Sequence, residues 1–193
     1  MAKLKILAFN GSPRVRGNTA TLLSALADGV TGAGGEWELI RVCDLDIRPC
    51  TACGGCDKTG SCVIEDDMAG IYPKIMAADR LVLASPIYFY GLTAQAKALV
   101  DRNQALWNRR RLGLDCGKPL DPLRRGLLLS VAATQGARVF EGAILTAKYA
   151  FDAMGFTHEG ELLFRALEYP RDASRQPEAL VRATEAGRAL VQE

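Results

Sequence analysis

An α/β domain with a central five-stranded parallel sheet between helical layers is the fold class this sequence predicts. Short apolar runs alternate along the chain with stretches of helical periodicity, as repeated βα units require. Polar or aromatic loops follow the first, third and fourth of these runs, which places them together at the carboxyl end of one sheet. The 193 residues fit a single domain over 1–193 with a sizeable core.

The first strand is expected over 5–9, a nearly continuous apolar run suited to burial on both faces. It runs into NGSPRVRGNT, where Gly11, Ser12, Pro13 and Gly17 break the strand and Asn18 or Thr19 can cap the next helix. Leu22, Leu23, Leu26 and Val30 give that helix one apolar side. A strand, a polar glycine loop and a helix start form a phosphate site from free N–H groups, with an ordinary βα turn as the plain alternative. The loop is neither G-x-G-x-x-G nor a Gly-Lys-Ser/Thr P-loop, so a monophosphate such as the tail of FMN suits it better than a nucleoside triphosphate.

Residues 29–35 close the first crossover and 37–43 form the second strand, with Cys43 as a small buried residue on it. Cys50, Cys53, Cys56 and Cys62 then fall in PCTACGGCDKTGSC, a C-x2-C-x2-C-x5-C run on a turn-rich loop. Four thiols so close can converge on one centre. Two successive x2 gaps resemble an iron-sulfur ligand run, whereas structural zinc usually takes two separated pairs. A [4Fe-4S] centre, a zinc site, and disulfide or thiol redox chemistry all remain open on spacing alone.

Asp66 or Asp67 caps a helix carrying Met68, Ile71, Ile75 and Met76, and Pro73 should bend or break it. The third strand, 80–84, leads to Ser85, Pro86, Ile87, Tyr88, Phe89, Tyr90 and Gly91. Aromatic rings just past a strand's carboxyl end can cover a flat heterocycle, or serve as core or subunit contacts. One helix is expected from 92 to about 110, offering a partner face. The stretch 112–125, with Gly113, Gly117, Pro119 and Pro122, reads as an exposed connection in which Cys116 has no assignable role.

A fourth strand over 126–133 ends at Thr134, Gln135 and Gly136, the same relative position as the two earlier loops. A helix over 140–154 stops at Gly155, and the fifth strand lies within 156–164. His158, the single histidine, reads as a strand or surface residue with no acid-base role. Pro177 starts the last helix, with Leu180, Val181 and Leu190 on its apolar side.

Twenty-four basic against 22 acidic residues leave a formal net charge of +2. Arg109, Arg110, Arg111, Arg124 and Arg125 read as a solvated helix end and loop, so no nucleic-acid partner is expected. MAKLKILAFNG lacks the apolar length of a secretory signal and no run is long enough to span a bilayer, so no membrane partner and a cytoplasmic location are expected. In that compartment cysteines favour metal or redox cofactors over disulfides.

Taken together, GSPRVRGNT at 11–19, the four-cysteine run, DDM at 66–68, SPIYFYG at 85–91 and AQAKALVDR at 94–102 resemble one family. It is the NAD(P)H-dependent FMN reductase branch of flavodoxin-like proteins, and within it the iron-sulfur flavoproteins. The resemblance implies a flavodoxin-like three-layer sandwich. It implies that Ser12, Arg14, Gly17, Asn18 and Thr19 hold the FMN phosphate, and that Pro86, Ile87, Tyr88, Phe89, Tyr90 and Gly91 line the isoalloxazine. Thr134, Gln135 and Gly136 would complete the pocket, while Cys50, Cys53, Cys56 and Cys62 would hold a [4Fe-4S] cluster.

It further implies an oxidoreductase that needs no catalytic side chain, fed by NAD(P)H or by a ferredoxin or other redox protein. Homodimers that pair into tetramers are implied, with a small acceptor such as a quinone or a flavin. Two other readings are a cluster-free NAD(P)H-dependent FMN or quinone reductase, and a flavin-containing electron carrier or redox sensor. The chain departs from the family pattern at Pro73, in the expanded basic stretch 109–125 and in its generic C-terminal part.

Overall fold

A computed structural model describes residues 3–114 and 124–192. Five strands, β1 (Lys5–Asn10), β2 (Glu36–Arg41), β3 (Arg80–Pro86), β4 (Arg125–Val131) and β5 (Thr157–Phe164), form one sheet in the order β2-β1-β3-β4-β5. Every neighbouring pair is parallel, with Ala8 opposite Leu39 and Val82, and Ser85 opposite Ser130. This is the flavodoxin-like order, whose switch point lies between β1 and β3.

The two-residue period of the strands sorts their side chains into two cores. Ile6, Ala8, Val82 and Leu129 face the layer of α1 (Asn18–Gly32) and α6 (Pro177–Ala189). Leu7, Phe9, Leu81, Leu83 and Leu128 face the layer of α2 (Met68–Ala77), α3 (Ala94–Arg102), α4 (Gln104–Arg111) and α5 (Glu141–Met154). Burial on both faces explains the continuous apolar runs, each large apolar side chain contributing about 1.5–3 kcal/mol. Leu22, Leu23, Leu26 and Val30 are all buried, and Gly155 closes α5 in the left-handed region as expected.

Several local expectations are corrected. α2 runs unbroken through Pro73, because the carbonyl that loses its partner belongs to exposed Ala69 and can be met by water. The single helix over 92–110 is instead two, split at Asn103. That buried side chain donates to the Leu99 carbonyl at 2.8 Å, a side-chain substitute for the regular ladder. Met76 and Val181 are exposed rather than core. Cys43 lies half-buried in a 3-10 turn after β2, its thiol pushed up chiefly by burial, and donates weakly to the Gly11 carbonyl at 3.7 Å. The expected connection over 112–125, with Gly117, Pro119, Pro122 and Cys116, lies largely outside the described residues.

α1 and α6 pack with their backbones in contact. A Cβ on Gly29 would stand 2.0 Å from the Thr184 carbonyl oxygen, and one on Gly187 would stand 2.0 Å from that of Leu26. A backbone atom cannot swing away, so both positions exclude any side chain. Gly187→Ala is therefore expected to lower unfolding stability by about 3 kcal/mol in urea denaturation. Gly32→Ala, with open space around it, should be neutral or slightly stabilising.

Candidate functional site

The loops at the carboxyl edge of the sheet are held by small buried hydroxyls. Thr93 caps α3 by accepting from the Ala96 N–H, and its hydroxyl donates to the Gly11 carbonyl at 2.6 Å. Ser85 Oγ accepts from the Thr93 N–H at 3.1 Å, while Ser130 Oγ donates to the Ser85 carbonyl at 2.8 Å. The loops after β1 and β3 and the end of β4 thus share one buried network. Sequence reasoning passed over Thr93, although a threonine directly before AQAKALVDR is an N-cap signal.

Within this frame the loop after β1 is ordered by its own side chains. The Ser12 N–H donates to Asn10 Oδ1, and Ser12 Oγ accepts from the Arg14 N–H. α1 begins after Gly17 with no side-chain cap and no acidic residue in its first turn. Its free N–H groups and positive helix end therefore favour an anion. Ser12, Arg14, Gly17, Asn18 and Thr19 share a cavity of about 180 Å³ with Pro86, Ile87 and Tyr88.

Asn18 has a different task from Ser12. Its Nδ2 donates to the Leu167 and Tyr169 carbonyls at 3.2 and 3.0 Å, and its Oδ1 accepts from the Ala173 N–H at 3.1 Å. Its side chain ties the segment after β5 to the phosphate loop, leaving its backbone N–H for a ligand. Leu167 and Glu168, which sequence reasoning did not single out, complete the cavity wall.

The aromatic stretch is a tight turn. Tyr88 and Gly91 exchange two 3.0 Å backbone hydrogen bonds, and the central residues Phe89 and Tyr90 have φ of 48° and 65°. Such turns usually take Asn or Gly there. Phe89 projects fully into solvent and Tyr90 is 58% exposed. Thr134, Gln135 and Gly136 are exposed beside this turn and do not line the phosphate cavity; Gly136 lies next to the Tyr90 hydroxyl.

The cysteine loop builds a second cavity, of about 400 Å³. Cys50, Cys53, Cys56 and Cys62 all line it, over a floor that includes Asp101, Arg102, Gln104 and Ala105. Cys43, Cys50, Cys53, Cys56 and Cys62 are unpaired thiols. Among the described residues, no three His, Cys, Asp or Glu gather closely enough to hold a metal ion. The Gly55 N–H, with the Thr51 hydroxyl, pulls the exposed Cys53 thiol below its ordinary value.

A buried ion pair anchors this loop. Arg102 Nη1 meets Asp66 Oδ2 at 2.5 Å and both side chains are fully buried. Arg102 also donates to the Arg48 carbonyl at 2.8 Å and the Ile64 carbonyl at 3.2 Å, one on each side of the cysteines. Asp66 accepts from the Arg48 and Met68 N–H groups. Burial alone would raise the Asp66 carboxyl, but its bonds from Arg102, Arg48 and Met68 hold it below the usual range. Burial chiefly, with Cys62 beside it, pushes up the Tyr72 phenol, which donates to the Arg102 carbonyl.

The basic cluster is spent within the chain. Arg111 donates to the Asp57 carbonyl and stacks over Trp107, Arg110 reaches the Asp152 carbonyl, and Arg109 donates to the Leu114 carbonyl. His158 is a strand residue stacked on Phe151 and takes part in neither cavity. No helix among the described residues is long and apolar enough to cross a membrane.

With this geometry in hand, a family model described as NADPH-dependent FMN reductase matches residues 4–155. The chain belongs to the NADPH-dependent FMN reductase family. Within it, the chain is similar to an iron-sulfur flavoprotein of Methanocaldococcus jannaschii, 39% identical over 103 residues that cover 53% of each protein. An iron-sulfur flavoprotein of Methanosarcina thermophila is 38% identical over 103 residues, covering 53% of this chain and 54% of that one. The matched region thus spans about half the length of these relatives. The NAD(P)H:quinone oxidoreductase of Methanothermobacter marburgensis superposes with a TM-score of 0.74 at 19% identity, covering 100% of this chain and 98% of that one. At that identity the likeness speaks for the fold.

In this reductase-family chain the Asp66–Arg102 pair generates a direct test. Asp66→Asn should cost about 3 kcal/mol at neutral pH in urea unfolding, since it leaves a buried guanidinium without its counterion. The folded carboxyl titrates below its unfolded value of about 3.9. Its stabilising contribution is therefore complete above that pH and is lost as pH falls through the folded value. Asp66→Asn should accordingly flatten the acid limb of a stability-pH curve.

Proposed function

We propose that this chain is an FMN-dependent oxidoreductase of the iron-sulfur flavoprotein type, passing electrons between a reduced donor and an acceptor. The observation that carries this reading is the lining of one cavity by all four cysteines, in a chain whose β1 and β3 loops line a separate cavity at an uncapped helix start. FMN, when bound, supplies the exchange between two-electron and one-electron chemistry, and a cluster would carry single electrons. The chain's own part is to bind and orient.

The uncapped start of α1, with Ser12, Arg14 and Thr19, suits a monophosphate. Tyr88, Phe89 and Tyr90 offer aromatic faces beside it. The cavity of about 180 Å³ is smaller than the roughly 300–1,000 Å³ of typical small-molecule sites. It suits the phosphate end of a flavin, leaving the ring on the open 88–91 turn, where a second subunit of a homodimer would cover it. Four cysteines with two successive x2 gaps, all lining one cavity of about 400 Å³, suit a polynuclear centre better than zinc, which usually takes two separated pairs. NAD(P)H or a ferredoxin is the proposed donor, and a quinone or flavin the small acceptor.

A second reading is a cluster-free NAD(P)H-dependent FMN or quinone reductase. The absence of a tight ligand group among the described residues and the description of the matching family model favour it. Anaerobic purification with FMN, iron and sulfide measured together separates the two. The expected result is about one FMN and about four irons with matching sulfide per chain. Flavin without iron selects the cluster-free reductase, and the absence of both overturns the flavoenzyme reading. Removing the charge-assisted contact with Arg14→Ala should weaken FMN binding about tenfold in a fluorescence titration.

A further inference from the structure

Asn108 lies on α4, outside every motif of the sequence, yet its side chain is turned inward to the cysteine loop and is 1% exposed. Its Nδ2 stands 3.1 Å from Cys56 Sγ and 3.0 Å from Asp57 Oδ1. On the other side, Arg111 Nε donates to Asn108 Oδ1 at 3.3 Å, and Arg111 Nη2 donates to the Asp57 carbonyl at 2.9 Å. The amide cannot be turned over. Reversal would set its oxygen against a carboxylate and a sulfur, and its NH2 group against a guanidinium. Both of its N–H groups are thereby committed to the loop, one of them to a cysteine sulfur.

Resting on the iron-sulfur reading above, we infer that Asn108 is a positioning residue that donates a hydrogen bond to the Cys56 sulfur of a bound cluster and raises its reduction potential. A thiolate ligand gains negative charge when its cluster takes up an electron, so a fixed N–H donor at the sulfur stabilises the reduced state more than the oxidised one. Asp57 acts in the opposite sense. Its carboxylate, held by the same amide, disfavours added negative charge at that sulfur. The clasp of Asn108, Asp57 and Arg111 therefore sets the electrostatics of Cys56 as well as its place.

The test is a mediated dithionite titration of anaerobically purified protein, following cluster and flavin signals separately, with iron and sulfide measured on each sample. Asn108→Leu, similar in size but without a donor, should keep about four irons per chain. Its one-electron equilibrium constant for cluster reduction should fall about tenfold, equivalent to 59 mV. Asp57→Asn should shift the cluster in the opposite direction, Asn108→Ser should recover part of the loss, and the flavin midpoint should stay in place in all three. An unchanged cluster midpoint in iron-loaded Asn108→Leu overturns the inference alone. Equal loss of iron from both Asn108 variants also overturns it, since it assigns Asn108 to loop folding. Wild-type protein without iron and sulfide overturns the cluster reading beneath it.

Discussion

The cysteine loop depends on one buried cation. The Arg102 guanidinium is removed from water and must find its hydrogen bonds inside the chain. Its two Nη groups find them on Asp66 and on the carbonyls of Arg48 and Ile64, while its buried Nε has no partner among the described residues, and the guanidinium so holds both ends of a segment with almost no regular structure of its own. A loop of this kind has a costly conformational freedom, and its own backbone bonds are few. Exchanging the pair for apolar residues of the same volume could leave the domain as stable, but the loop ends would then lack fixed partners. The pair is thus best understood as specifying where the cysteines stand.

The same short helix serves both cavities. Thr93 caps the start of α3 and binds the Gly11 carbonyl of the phosphate loop, while Arg102 at its end binds the cysteine loop. Nine residues at 1.5 Å each make α3 about 13 Å long. Its buried face, through Ala96 and Leu99, fixes it on the sheet. The two loops are therefore referred to one rigid element, and a shift of α3 would disturb the anion site and the cysteine cavity together.

The strands, their parallel arrangement and the loops at their carboxyl ends were legible because burial on two faces leaves uninterrupted apolar runs. That 12–19 would share one cavity wall and the four cysteines another was legible because residues close in sequence build each of them. Partners far apart in sequence left no such trace. Asn18 reads as a helix cap, yet its side chain closes on Leu167, Tyr169 and Ala173 about 150 residues away. Asn108 reads as a polar residue before three arginines, and only folding brings it to Cys56. Periodicity also overstated two positions. Met76 and Val181 match an apolar stripe, yet both side chains stand exposed. Gly29 and Gly187 mark a helix contact that no pattern within either helix could announce.

Backbone strain gathers at the same places. Among the described residues, five non-glycine positions have positive φ: Ala52, Phe89, Tyr90, Ala166 and Arg171. Ala52 sits between Cys50 and Cys53, Phe89 and Tyr90 form the aromatic turn, and Ala166 and Arg171 flank the wall that Asn18 secures. Each such conformation costs about 1–3 kcal/mol and persists only where surrounding bonds impose it. At Phe89 the cost carries no return in packing, since the ring stands wholly in solvent. A glycine there would keep the turn and relieve the strain, so the turn's geometry does not account for an aromatic residue. What the aromatic residue adds is a ring presented to solvent, one residue on from Tyr88 in the cavity wall.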